Sequence, residues 1–242
     1  MVLFYRVIDS LRYFLRLIVG LNYRSLNLIV GCLRGKATTL CTSDKKLVIE
    51  AFPRSANTFS VALACLYGDY AKEEIASHHH AIGQFKRALQ LDVPSISIIR
   101  EPRAAIISLI VRRPKVFTIL FLIDYYIFYS YVLNHKNEIN LVTFDQVTNN
   151  TDELVRLLFN NDSHVDKNAV FQFVDDLERQ DSGTDIIRET HVARPVESES
   201  KVLQKNAASR RLDGRLAVYL LKKCDALYAE VRKSSSYPLS EN

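Results

Sequence analysis

The sequence predicts an α/β fold: a P-loop-like parallel β-sheet flanked by helices and preceded by an N-terminal amphipathic helix. Three observations carry this expectation. From Lys46 onward short apolar runs alternate with helical stretches, the pattern of βαβ units. Two of the runs, Leu47–Ala51 and Ser95–Ile99, are followed at once by turns bearing arginine, serine and small residues. The 242 residues are 48% hydrophobic and 24% charged, which supplies one large core and excludes a disordered or fibrous chain. The chain divides into an amphipathic segment (1–35), an α/β domain (36–233) and a tail (234–242).

In residues 1–35, Phe4, Val7, Ile8, Leu11, Phe14, Leu15 and Ile18 recur at helical spacing, and Arg6, Arg12 and Arg16 lie off that stripe. The arginines interrupt the segment too often for a membrane span, which needs about 20 mostly apolar residues. The stripe suits the plane of a membrane interface, or packing on the domain or a partner subunit. An Arg-rich, acid-poor start also resembles a transit peptide, although serine enrichment is missing. The strand at 47–51 leads into a helix over 57–67. Residues 74–77 run into the triplet His78, His79 and His80, followed by a helix over 81–90, a strand over 94–99 and a helix beginning at 103–111. Residues 116–133 are apolar and aromatic with one charge, Asp124. That charge, the tyrosines and a place between two strands favour a buried helix over a membrane span. A strand over 139–144 and helices over 152–159 and 169–177 come next. Residues 181–206, with His191, Arg194 and Pro195, read as a polar, irregular loop, and 212–231 as a closing helix.

Net charge is +5, a mild basic excess that suits anionic ligands or membrane surfaces. No dense Lys/Arg run marks a nucleic-acid partner. Cys32, Cys41, Cys65 and Cys224 show neither CxxC spacing nor a disulfide rhythm, which fits a reducing, cytoplasmic setting, peripheral at a membrane if residues 1–35 bind one.

In the stretch from Pro53 to Phe59, Ser55 and Ala56 are small enough for backbone N–H groups to approach an anion. Arg54 adds charge, and Ser55, Asn57 and Thr58 add side-chain donors. The Gly-x4-Gly-Lys-[Ser/Thr] pattern is absent, which counts against ordinary Mg-ATP chemistry. Between Gly31 and Ala37 the two glycines are one residue too close, and Ala37 stands where that pattern needs a hydroxyl. Taken alone, the Pro53 stretch is also a plain helix start with an N-cap. Arg100, at a strand end, and Ser108, eight residues on, form a second anion grip, with Pro102 suited to the first turn of the helix between them. Among the histidines, His78 suits a general base, because imidazole titrates near neutral pH. On a strand His78 and His80 share one face, which makes His80 the alternative base. A zinc site would need further ligands, and no cysteine or acid pair offers them. Histidines simply hydrogen-bonded at a strand end are the remaining reading.

The stretch from Pro53 to Phe59 resembles the Pro-Lys-Ser-Gly-Thr-Thr-Trp loop with which PAPS-dependent sulfotransferases hold the 5′-phosphosulfate of 3′-phosphoadenosine 5′-phosphosulfate (PAPS). The segment from Arg100 to Ser108 resembles their 3′-phosphate motif, an Arg and a Ser at this separation. The likeness covers roughly residues 46–145. It implies that Arg54, Ser55, Ala56, Asn57, Thr58 and Phe59 hold the 5′-phosphosulfate, that Arg100 and Ser108 hold the 3′-phosphate, and that no metal is required. It also implies that His78, in a Ser-His pair like the family's, takes the acceptor proton while Arg54 stabilises the leaving phosphate of the product PAP. Arg54 stands where Lys is usual and Ala56 where Gly is usual, a safe exchange only if the backbone there avoids positive φ. The family's Lys-containing C-terminal loop is missing, with Arg194, Arg210 and Arg211 as stand-ins. Phe144 and Asp145 resemble the aromatic-acid pair after a late strand, and the tyrosines from Tyr125 to Tyr131 either pack in the core or line an acceptor pocket. The implied activity is sulfuryl transfer to a hydroxyl or amine on a small-molecule, carbohydrate or lipid-linked acceptor. An ATP-using kinase-like enzyme and a non-catalytic, membrane-associated protein are the rival expectations.

Overall fold

The computed structural model describes residues 2–32, 39–182 and 199–235. Strands β1 (Leu47–Ala51), β2 (Ile75–Ser77), β3 (Ser95–Ile99) and β4 (Asn140–Thr143) form a parallel sheet in the order β2-β1-β3-β4. Their near-continuous apolar runs are buried almost throughout, as a sheet covered on both faces requires.

Helix α1 (Val2–Gly20) and the short α2 (Tyr23–Leu26) precede the sheet, and the short α7 (Phe144–Thr148) directly follows β4. One face of the sheet packs against α4 (Ile82–Leu91), α5 (Pro102–Arg112), α6 (Thr118–Asn134) and α11 (Arg215–Lys233) through Val48, Ile99 and Leu141. The other packs against α3 (Asn57–Tyr67), α8 (Thr151–Phe159) and α9 (Lys167–Ser182) through Leu47, Ile49, Ile96, Ile98 and Val142. The strand before α3 leads outward to β2, whereas β3 leads through α5 and α6 to β4 on the opposite side. The crevice between the diverging connections therefore opens at the C-terminal ends of β1 and β3, where the two anion-gripping turns stand.

Helix α6 is the buried helix that its tyrosines and Asp124 suggested: Phe121, Tyr125, Phe128 and Tyr129 are all in the core. Among the described residues no helix is long and apolar enough to cross a membrane. The Tyr125 and Tyr129 hydroxyls donate to the Arg100 and Ile98 carbonyls at 2.7 and 2.6 Å, so these rings pin β3 from within the core.

One expectation needs correction, and one alternative that the sequence left open is decided. Part of the stretch read as an irregular loop is helix α10 (Glu199–Arg210), built from good helix formers whose low apolar content leaves no periodic signal. His191, Arg194 and Pro195 lie outside the described residues, as do residues 33–38 and the tail from 236 onward. Helix α1 has the expected periodicity but does not pack its apolar stripe on the domain. Ser10, Tyr13 and Leu17 are buried, whereas Phe4, Val7, Leu11, Phe14, Leu15 and Ile18 face outward at 44% to 66% exposure.

Candidate functional site

A cavity of about 630 Å³ is walled by residues that directly follow all four strands: Arg54 and Thr58 after β1, His78 and His80 after β2, Arg100 after β3 and Phe144 after β4. Tyr13 and Arg16 of α1 and Lys167 and Phe171 of α9 also line it, together with Arg112, which ends α5, and Arg113. The wall carries six Arg and Lys side chains and no Asp or Glu. Low-dielectric walls of one sign concentrate the field, so the cavity attracts anions.

The turn after β1 directly meets the end of β3 and the middle of α5. Arg54 Nε donates to Ser108 Oγ at 3.0 Å, and Arg100 Nη1 donates to the Arg54 carbonyl at 2.6 Å. The Arg100 guanidinium lies 4.1 Å from the Phe144 ring centroid, a cation–π contact that fixes its plane. Arg54 and Ala56 both have positive φ, 72° and 66°. The left-handed Ala56 immediately precedes α3, whose first N–H groups have no intrahelical partner and carry the positive end of the helix dipole.

The histidines do not continue β2, which ends at Ser77; His78 and His80 each have positive φ, 71° and 51°. Both nevertheless reach the cavity, because a turn rather than strand alternation aims them there. The buried carboxylate of Glu50 on β1 holds this turn, accepting the His79 N–H at 2.9 Å and the His80 N–H at 2.6 Å. Burial pushes the Glu50 carboxyl up to about 8 despite these two bonds. The exposed His78 ring has Nδ1 2.7 Å from Ser77 Oγ and Nε2 3.2 Å from Thr58 Oγ1. If Nδ1 carries the proton, Nε2 on the cavity side is the acceptor nitrogen and takes the Thr58 hydroxyl as its hydrogen-bond donor. Partly buried His80 has Nδ1 2.7 Å from the Ala51 carbonyl, and burial followed by the Arg16 charge pushes its ring down to about 3. It is a weak proton acceptor at neutral pH. The His79 ring turns away to meet Thr39 Oγ1 at 2.7 Å, and among the described residues no three His, Cys, Asp or Glu side chains gather closely enough to share a metal.

Of the first loop, Ser55 leaves the cavity wall and Asn57 lines it while bracing a neighbouring turn. Ser55 is fully buried against Tyr129, off the cavity wall, so its hydroxyl serves the core and not a ligand there. Asn57, with Nδ2 donating to the Ile49 carbonyl at 3.3 Å, accepts the His78 N–H on its Oδ1 at 3.3 Å and so braces the histidine turn. Phe59 lines the cavity edge-on to Phe171, with ring centroids 5.5 Å apart.

Arg211 donates to the Pro114 and Val116 carbonyls, which commits it to the loop after α5, and Arg210 is exposed. Arg112, one turn beyond Ser108 on α5, is the cation on the wall instead, and that i, i+4 spacing was readable in the sequence. Glu50 also had a signal, as the single acid within a buried strand run. Arg16 and Lys167 had none. The chain matches no family model, and no curated protein or solved structure is significantly similar to it.

Proposed function

We propose that the protein transfers a sulfuryl group from PAPS to an acceptor hydroxyl or amine, as a cytoplasmic enzyme. The observation that carries this reading is the direct contact of the two anion grips, Arg54 with Ser108 and Arg100 with the Arg54 carbonyl, on the wall of an acid-free cavity. A donor with phosphate groups at both ends of one ribose needs two such grips side by side. Arg54 and the first N–H groups of α3 would take the 5′-phosphosulfate and stabilise charge on the bridging oxygen as the sulfur–oxygen bond breaks. Arg100 and Ser108 would take the 3′-phosphate. With His78 Nε2 turned towards Thr58, the acceptor proton would pass to His78 as the acceptor oxygen or nitrogen attacks the sulfur in line.

Calorimetric titration with PAP tests this reading. Tight binding unaffected by chelation of divalent cations is expected, with Arg100→Ala weakening it roughly 10- to 100-fold through loss of charge-assisted hydrogen bonds. Folded protein that ignores PAP, or that instead binds ATP only with magnesium, defeats the proposal and favours the kinase-like alternative. His78→Ala should leave PAP binding intact and abolish transfer.

A further inference from the structure

Helix α1 is held to the domain chiefly by polar anchors. Its domain side buries Leu17 and the Tyr13 ring and is tied down by hydrogen bonds: Tyr13 OH and Arg16 Nη2 both donate to Asp124 Oδ2 of α6, at 2.5 and 2.9 Å, and Ser10 Oγ accepts the Phe117 N–H at 3.0 Å. The Arg6 guanidinium stacks 5.0 Å from the Phe117 ring centroid. These contacts fix the rotation of the helix about its own axis and leave Phe4, Val7, Leu11, Phe14, Leu15 and Ile18 in one outward ridge that no described residue covers. An uncovered apolar ridge of this length is costly in water and calls for an occupant.

Charge identifies the occupant. Exposed cations accompany the ridge: the Arg12 side chain on the same helix is 77% exposed, exposed Lys115 lies 5.2 Å from the ring centroid of Tyr5, and exposed Arg24 follows on α2. Asp9 is the single acid among residues 1–43, and Arg12 already meets it at 3.5 Å. A second copy of the chain, related by a two-fold axis, would bring these cations against their own counterparts. A membrane leaflet carrying anionic headgroups offers an apolar layer for the ridge and counter-charge for its rim.

We propose that α1 lies in the plane of an anionic lipid surface, with its outward ridge buried among the acyl chains and Arg12, Arg24 and Lys115 at the headgroups. The 19-residue helix would contribute a contact about 28 Å long at 1.5 Å per residue. Its opposite side carries Tyr13 and Arg16 of the cavity wall, so docking brings the cavity to within about one helix diameter, 10 Å, of the bilayer.

Flotation of the full chain with vesicles tests the proposal. With phosphatidylcholine containing roughly 30% phosphatidylglycerol the protein should float, and with phosphatidylcholine alone, or in high salt, its partition should fall roughly tenfold. Leu11→Glu/Phe14→Glu, at exposed positions, should abolish flotation while melting temperature and PAP titration stay unchanged. Arg12→Glu/Arg24→Glu should erase the preference for anionic vesicles. Absence of flotation, equal flotation by the Leu11→Glu/Phe14→Glu variant, or a dimer in sedimentation equilibrium that this variant dissolves would overturn it, the last in favour of a self-interface. Flotation does not depend on nucleotide binding, so failure of the PAP titration and failure of docking are separate results.

Discussion

Ala56 occupies the left-handed region at φ 66° because the chain must turn sharply from β1 into α3 and aim its amides at the cavity. A side chain there costs about 1–2 kcal/mol, and glycine recovers part of that after its larger loss of backbone freedom on folding. Ala56→Gly should therefore raise stability by about 0.5–1 kcal/mol in urea denaturation. Unchanged or lower stability would show that the methyl group makes up for its strain by packing on the α3, α8 and α9 side of the sheet, where Ala56 makes contacts. Strain recurs at His78 and His80, and there Glu50 and Asn57 hold the turn through main-chain N–H groups. Four residues with positive φ in one cavity wall, none of them glycine, mark where the fold gives up stability to place side chains.

At the scale of the element, α1 is governed by a buried charge. Asp124 sits on an otherwise apolar helix, and burial raises its pKa against the opposing pull of Arg16. Arg16→Ala would leave that carboxylate with Tyr13 as its hydrogen-bond donor and the more distant Arg113 as its countercharge. Because the Arg16 side chain is 29% exposed, the loss should be about 2–3 kcal/mol, below that of a fully buried pair. Adding Asp124→Asn should restore part of it, and a double-mutant cycle reads the coupling. Additive losses would mean that the ion pair does not set the helix orientation. Helix α6, buried by its aromatic residues, pays for this one polar position by anchoring the helix that walls the cavity.

Over the whole molecule, buried groups shape stability against pH in opposite directions: Glu50, joined at acid pH by Asp124, acts one way and His80 the other. Glu50 rises from 4.5 to about 8 on folding, so between those values the folded state holds a proton that the unfolded chain has lost, and stability falls as pH rises. His80 falls from 6.5 to about 3, so between those values the unfolded chain holds the extra proton, and stability is lost on acidification. The two trends oppose each other between pH 4.5 and 6.5. Thermal midpoints measured across the range should peak there and decline towards about pH 8, and Glu50→Gln should flatten the alkaline limb. A midpoint still climbing at pH 8 would exclude Glu50 as its determinant.

The sequence by itself determined the parallel α/β architecture and which two strands carry the anion-gripping turns, because buried strands leave apolar runs and the glycine-poor, arginine-bearing turns follow them directly; the sheet order then made those two strands neighbours. It also determined that residues 2–20 form an amphipathic helix, since periodicity is a local property. Which side of that helix faces the domain was decided only in three dimensions, by Asp124 lying more than a hundred residues away. The same holds for Ser55 turning into the core, for Asn57 bracing His78, and for Arg112 and Lys167 taking the wall positions that Arg210 and Arg211 do not occupy. Spacing along the chain fixes which residues share a turn. Only packing between distant elements fixes where their side chains point.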